Sequence, residues 1–124
     1  MAKNILVVDD EPSFCEVIRQ FFEGKGYSVT KAYNGDEALA SYREDRPDVV
    51  LLDFWMPGKN GPEVLRELKA FDPEANVMLV TAVVDKEVLE GAIAAGAFDY
   101  ALKPLNLHSL DLALKLKFRQ IGSE

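Results

Sequence analysis

Apolar residues along this chain fall into short solid blocks, separated by longer stretches in which they recur every third or fourth position. Ile5-Leu6-Val7-Val8 is one such block, closed by Asp9-Asp10. A strand apolar at every position belongs inside a parallel sheet with helices on both faces. Val49 to Leu52, ending at Asp53, repeats the pattern, and so does Val77 to Val80, ending at Thr81. Ser28 to Ala32 and Phe98 to Leu102 are less uniform blocks of strand length.

The intervening stretches carry the helical period. Pro12 suits a first helical position. Phe14, Val17, Ile18 and Phe21 follow at the i, i+3, i+4, i+7 spacing of a core-facing stripe, and Gly24 and Gly26 stop it. Asn34-Gly35 opens a second helix with Ala38, Leu39 and Tyr42 inward. Pro57-Gly58 marks a turn, and Pro62 opens a third helix with Val64, Leu65 and Leu68 inside. Asp85 caps a fourth, presenting Val88, Leu89, Ala92 and Ile93. Asn106 to Arg119 form the last, with Leu107, Leu110, Leu114 and Phe118 on one side and Leu112 and Leu116 nearly opposite. Five strands alternating strictly with five helices predict an α/β doubly wound sandwich, one domain spanning 1–124.

Composition narrows the class without changing the fold. Of the 124 residues, 48% are hydrophobic and 28% charged, the balance of a folded domain. The net charge of −7 argues against a nucleic-acid surface, which needs clustered lysine and arginine. No apolar run reaches membrane-spanning length and nothing before Lys3 reads as a signal peptide, so a cytoplasmic location is expected. Cys15 is the single cysteine and is read as a buried packing residue.

The chemistry gathers where the strands end. In open α/β sheets ligands bind beyond the carboxyl ends of the strands, and right-handed connections bring those ends to one edge. Asp9, Asp10, Asp53, Thr81 and Lys103 are therefore expected to share a pocket. Three carboxylates in a small space raise one another's pKa or demand a cation. Mg2+, which favours a few carboxylates together with phosphate oxygens, is the expected one. A carboxylate can attack phosphorus to give an aspartyl-phosphate. A threonine hydroxyl and a lysine ammonium then supply the positioning and charge that phosphoryl transfer needs.

Four ordered motifs make this specific. Val7-Val8-Asp9-Asp10-Glu11, Asp53-Phe54-Trp55-Met56-Pro57-Gly58-Lys59-Asn60-Gly61, Thr81-Ala82 and Gly96-Ala97-Phe98-Asp99-Tyr100-Ala101-Leu102-Lys103-Pro104 resemble the receiver domains of bacterial two-component response regulators, including the chemotaxis regulator. The likeness runs from about Lys3 to the last helix. It implies a flavodoxin-like (βα)5 fold with a central parallel sheet of order 2-1-3-4-5.

The resemblance also implies roles. Asp53 is the phosphoacceptor; Asp10, Asp53 and the Trp55 backbone carbonyl bind Mg2+, for which Mn2+ substitutes; Asp9 acts through water. Thr81, the Ala82 amide and Lys103 hold the phosphoryl group, Thr81 and Tyr100 form the switch, and the Lys103-Pro104 bond is cis. Trp55 and Val83 flank the path of the hydrolytic water, where large apolar groups are expected to prolong the phosphorylated state. The implied partners are a sensor histidine kinase or phosphotransfer protein and a downstream effector. They read the face of the fourth helix, fifth strand and fifth helix, which a second copy also uses in a homodimer, and to which Leu112 and Leu116 are assigned. The domain would catalyse only its own phosphorylation and dephosphorylation, with no direct nucleic-acid or membrane contact.

Rival readings fare worse. An FMN carrier of the same fold needs a small hydroxyl-rich loop where Asp9-Asp10-Glu11 stands, and an aspartyl-phosphate phosphatase places its acids as Asp-x-Asp. A receiver-like interaction module independent of phosphorylation would not need Asp10, Asp53, Thr81 and Lys103 together. A stand-alone regulator and the front part of a longer protein both fit, with the second favoured because most receivers are joined to an effector.

Overall fold

The computed structural model describes residues 3–82 and 85–121. Its elements alternate as β1 (Asn4–Val8), α1 (Pro12–Glu23), β2 (Ser28–Ala32), α2 (Gly35–Asp45), β3 (Val49–Leu52), α3 (Gly61–Phe71), β4 (Val77–Thr81), α4 (Lys86–Ala94), β5 (Asp99–Leu102) and α5 (Leu107–Ile121). All strand pairs are parallel and the sheet order is β2-β1-β3-β4-β5. This is the doubly wound, flavodoxin-like arrangement that the alternation and the motifs predict.

Side chains alternate across a strand, so each central strand feeds two cores. Leu6, Val8, Val50, Leu52, Val77 and Leu79 pack with α2, α3 and α4 on one face. Ile5, Val7, Val49, Leu51, Met78 and Val80 pack with Cys15, Ile18 and Phe22 of α1 and Leu110, Leu114 and Phe118 of α5 on the other. The solid apolar blocks exist because both faces are covered.

Local chemistry starts the helices where expected. Pro12 occupies the first turn of α1. The Asn34 side chain accepts from Glu37 N at 2.9 Å, and that of Asp85 accepts from Glu87 N at 2.9 Å. Asn60 and Glu63 form a reciprocal capping box at 3.0 Å each way at the start of α3. The Lys103-Pro104 bond is cis.

Two helix faces differ from the sequence reading. The buried stripe of α1 is Cys15, Ile18 and Phe22. Phe14 and Phe21 are half-buried on its flank, and Val17, assigned to the core, is 51% exposed. The helical period fits either set, and the small thiol of Cys15 sits deeper than the valine. On α4, Leu89 and Ala92 are buried but Ile93 is exposed. It looks into a shallow groove shared with Tyr100 of the edge strand β5. A helix covering the margin of a sheet needs only a narrow apolar stripe.

Asp111 of α5 was not foreseen at all. Its carboxylate is 1% exposed, with Lys115 Nζ at 3.3 Å and Lys25 Nζ at 3.8 Å from Oδ2. Oδ1 has no hydrogen-bond partner among the described residues. No helix among the described residues is long and apolar enough to cross a membrane.

Candidate functional site

Backbone hydrogen bonds fix the strand ends that carry the chemistry. Asp9 N donates to Ala32 O at 3.0 Å, Asp53 N to Val8 O at 2.9 Å, and Lys103 N to Thr81 O at 2.8 Å. Acids after β1 and β3, the last residue of β4 and the lysine after β5 therefore lie along one edge of the sheet. Beneath them, α3 presses against the loop that follows Asp53. Gly61 N donates to Phe54 O at 2.8 Å. A Cβ at Gly61 would lie 2.7 Å from both Asp53 O and Phe54 Cα, so the close approach requires glycine.

The side chains converge as the sequence predicts. Asp9, Asp10 and Asp53 each present a carboxylate oxygen within 4.8 Å of the others. Asp9 and Asp53 are buried, Asp10 is exposed, and Thr81 is fully buried at the end of β4. Lys103 Nζ reaches all the way across the sheet edge, 2.6 Å from Asp9 Oδ2 and 3.8 Å from Asp53 Oδ1. Ala82 and Tyr100 are exposed. Trp55 is 61% exposed, and its ring meets the buried Phe54 edge-on at 5.2 Å between centroids. Val83 lies outside the described residues. Leu112 and Leu116 are 50% and 60% exposed on α5. His108, also on α5, is exposed.

The electrostatics reflect crowding. Burial first, then the Asp9 carboxylate, pushes Asp53 up to about 6 against the pull of Lys103. Burial works against the charge of Lys103, but its hydrogen bond to Asp9 and the charge of Asp53 outweigh it and hold the ammonium above its ordinary value. Burial, aided by Asp9, pushes the Cys15 thiol up to about 11. That thiol sits 3.4 Å from Asp9 O.

This donor set fits a hard divalent cation. Three oxygens from three carboxylates converge, one of them on an exposed side chain open to solvent, and among the described residues a single ammonium faces them, which leaves the acids in excess. Two features escaped the sequence reading. The shortest contact of Lys103 is with Asp9, and its Nζ lies 4.4 Å from the centroid of the Phe14 ring. The helical period that assigned Phe14 to the core is what hid its place beside the pocket.

Comparison with known proteins agrees with the geometry. The model of a family described as the response regulator receiver domain matches residues 5–115. The chain is 39% identical over 124 residues to the transcriptional regulatory protein ZraR of Salmonella typhimurium, covering 98% of this chain and 28% of that protein. It is 37% identical over 124 residues to the DNA-binding response regulator MtrA of Mycolicibacterium smegmatis, covering 100% of this chain and 54% of that protein. The chain thus spans about half or less of the length of these relatives. A CheY-like response regulator receiver domain protein from Methanospirillum hungatei superposes with a TM-score of 0.94 at 28% identity, over 99% of this chain and 98% of that one.

Proposed function

This chain belongs to the response regulator receiver domain family, and from that premise we propose that it is a switch driven by phosphorylation of Asp53. One observation carries the reading: Asp9, Asp10, Asp53, Thr81 and Lys103, drawn from positions up to 94 residues apart, meet at one edge of the sheet.

In this reading an Asp53 carboxylate oxygen attacks the phosphorus of a phosphohistidine on a sensor kinase or phosphotransfer protein. The bond from phosphorus to the imidazole nitrogen breaks and the imidazole leaves with the electron pair. A small phosphodonor such as acetyl phosphate loses acetate in the same way. Lys103, already 3.8 Å from Asp53, neutralises one phosphoryl oxygen. The Thr81 hydroxyl and the Ala82 amide donate to others. Asp10, Asp53 and the Trp55 carbonyl would hold Mg2+ or Mn2+, with Asp9 acting through water. When bound, the ion offsets the charge that builds on the phosphoryl oxygens. The domain then catalyses only its own phosphorylation and dephosphorylation.

The output follows from population shift. Phosphate contacts from Thr81 and Lys103 favour one of two arrangements, with Tyr100 turning inward as Thr81 moves. Tyr100 is 41% exposed in this structure and shares a groove with Leu89 and Ile93 of α4. With Ile93, Leu102 and Leu116 it leaves an exposed apolar face across α4, β5 and α5, suited to an effector or a second copy. Of the relatives named above, one is a transcriptional regulatory protein and the other a DNA-binding response regulator by title, which supports a DNA-binding domain or protein as the effector; the acidic net charge of this domain argues against a nucleic-acid contact of its own.

Incubation with acetyl phosphate and Mg2+, followed by intact mass measurement, tests the reading. The wild type is expected to gain one phosphoryl group and Asp53→Ala none. An Asp53→Ala protein that gains the same mass would place the acceptor elsewhere.

A further inference from the structure

We propose that Phe14 is a positioning residue for Lys103, holding its ammonium at the acceptor pocket through the face of the aromatic ring. The proposal rests on the phosphoacceptor reading and deepens it.

Lys103 Nζ lies 4.4 Å from the Phe14 ring centroid, inside the range at which a cation is drawn to an aromatic face. The lysine side chain is 20% exposed, so the attraction is little screened by water. Both partners are held from behind. Lys103 follows the end of β5, its backbone N donating to Thr81 O at 2.8 Å. Phe14 sits in the first turn of α1, whose backbone returns to Glu11 O from Phe14 N at 3.1 Å and Cys15 N at 3.2 Å. The Cys15 thiol and the Glu11 amide both bond to Asp9, at 3.4 Å to its carbonyl and 2.9 Å to its carboxylate. The ring is thereby registered against the acid pair.

The need for such a residue comes from competition. In this arrangement the strongest contact of Lys103 is with Asp9 at 2.6 Å, while Asp53 is 3.8 Å away. Once the Asp9 charge is engaged by another cation, the ammonium loses that partner and must turn toward the group on Asp53. A hydrogen bond holds in one direction only. The negative face of an aromatic ring attracts a cation from a range of positions above its centre, so contact with Phe14 survives the exchange of partners and keeps the ammonium from swinging out to solvent. An aliphatic residue would fill the same space without that attraction.

The test compares wild type, Phe14→Leu and Phe14→Tyr in acetyl phosphate and Mg2+, a donor that needs no kinase surface. Phe14→Leu is expected to phosphorylate about five- to tenfold more slowly at saturating donor, because without the ring its ammonium spends most of its time swung out to solvent. Its donor KM and its calorimetric Mg2+ Kd are expected within about twofold of wild type, and Phe14→Tyr is expected to restore the rate. Proton NMR without donor or metal gives a second readout. The Hε protons of Lys103 are expected upfield in wild type and Phe14→Tyr, through the ring current, and at ordinary positions in Phe14→Leu. Equal phosphorylation of wild type and Phe14→Leu, or a slow Phe14→Leu that tyrosine does not rescue, overturns the proposal. A wild type that accepts no phosphoryl group overturns the phosphoacceptor reading itself, and the proposal falls with it.

Discussion

As the proposed acceptor, Asp53 combines two demands that pull apart: it must be buried enough to exclude water yet charged enough to attack phosphorus. Burial and the neighbouring acids raise it to about 6 in the metal-free protein. The sign of the consequence is definite. A carboxyl raised on folding binds its proton more tightly in the native state, so stability is present at low pH and falls as pH rises from about 4 through 6. Asp53→Asn in chelator is therefore expected to be more stable than wild type at pH 7.5 by on the order of 2 kcal/mol, with the gap closing by pH 4. Urea unfolding at both pH values measures it; an equal gap at both would show that charge is not the cause. Trp55, two residues on in the sequence, is exposed. Trp55→Asn is expected to shorten the phosphoryl lifetime severalfold in a phosphate-release assay, and an unchanged decay would remove the shielding role. At this scale the acids, Thr81 and Lys103 were legible because each follows a strand-like block. The Lys103–Asp9 pairing and the Phe14 ring were not, since spacing along the chain says nothing about which of three nearby acids an ammonium reaches.

The elements were legible where one pattern dominates and obscure where two fit. β1, β3 and β4 stood out because both faces are buried, which leaves no polar position to confuse the period. α1 and α4 gave the right helices with Val17 and Ile93 on the wrong side, because apolar residues on a helix flank satisfy the same spacing as those on its inner stripe. The start of α3 is the element on which the site depends most. Gly61 lets the helix meet the Asp53–Phe54 backbone, and the Asn60–Glu63 box holds its first turn. Gly61→Ala forces a Cβ against that backbone and is expected to cost about 1–3 kcal/mol while also slowing phosphorylation of Asp53. Asn60→Ala loses a cap worth roughly 1 kcal/mol and leaves the acceptor loop in place. Thermal melts beside phosphorylation rates separate the two: a Gly61→Ala protein that melts low but phosphorylates normally would mean the contact serves stability alone.

For the molecule as a whole, the three-layer plan was legible from alternation and the strand order from the motifs, whereas periodicity placed the outer face of α5 but not those of α1 and α4. Leu112 and Leu116 stand out on α5 as the stripe opposite its buried residues predicts. Leu112→Glu with Leu116→Glu is expected to weaken dimerisation or effector binding with little change in melting temperature, by sedimentation and thermal denaturation of one sample. Unchanged association would remove these two side chains from the interface. Asp111 shares that helix, and a carboxylate so enclosed stabilises little compared with a hydrocarbon of similar size. Asp111→Leu is expected to melt no lower than wild type, yet to broaden the amide resonances of α5; sharp, unshifted resonances would deny the acid any such role. The wild-type carboxylate works as a key in a slot: should α5 roll or advance by one turn, the charge would part from Lys25, just after α1, and keep only Lys115 of its own helix. Whatever docks on this helix therefore meets its leucines at one clock position.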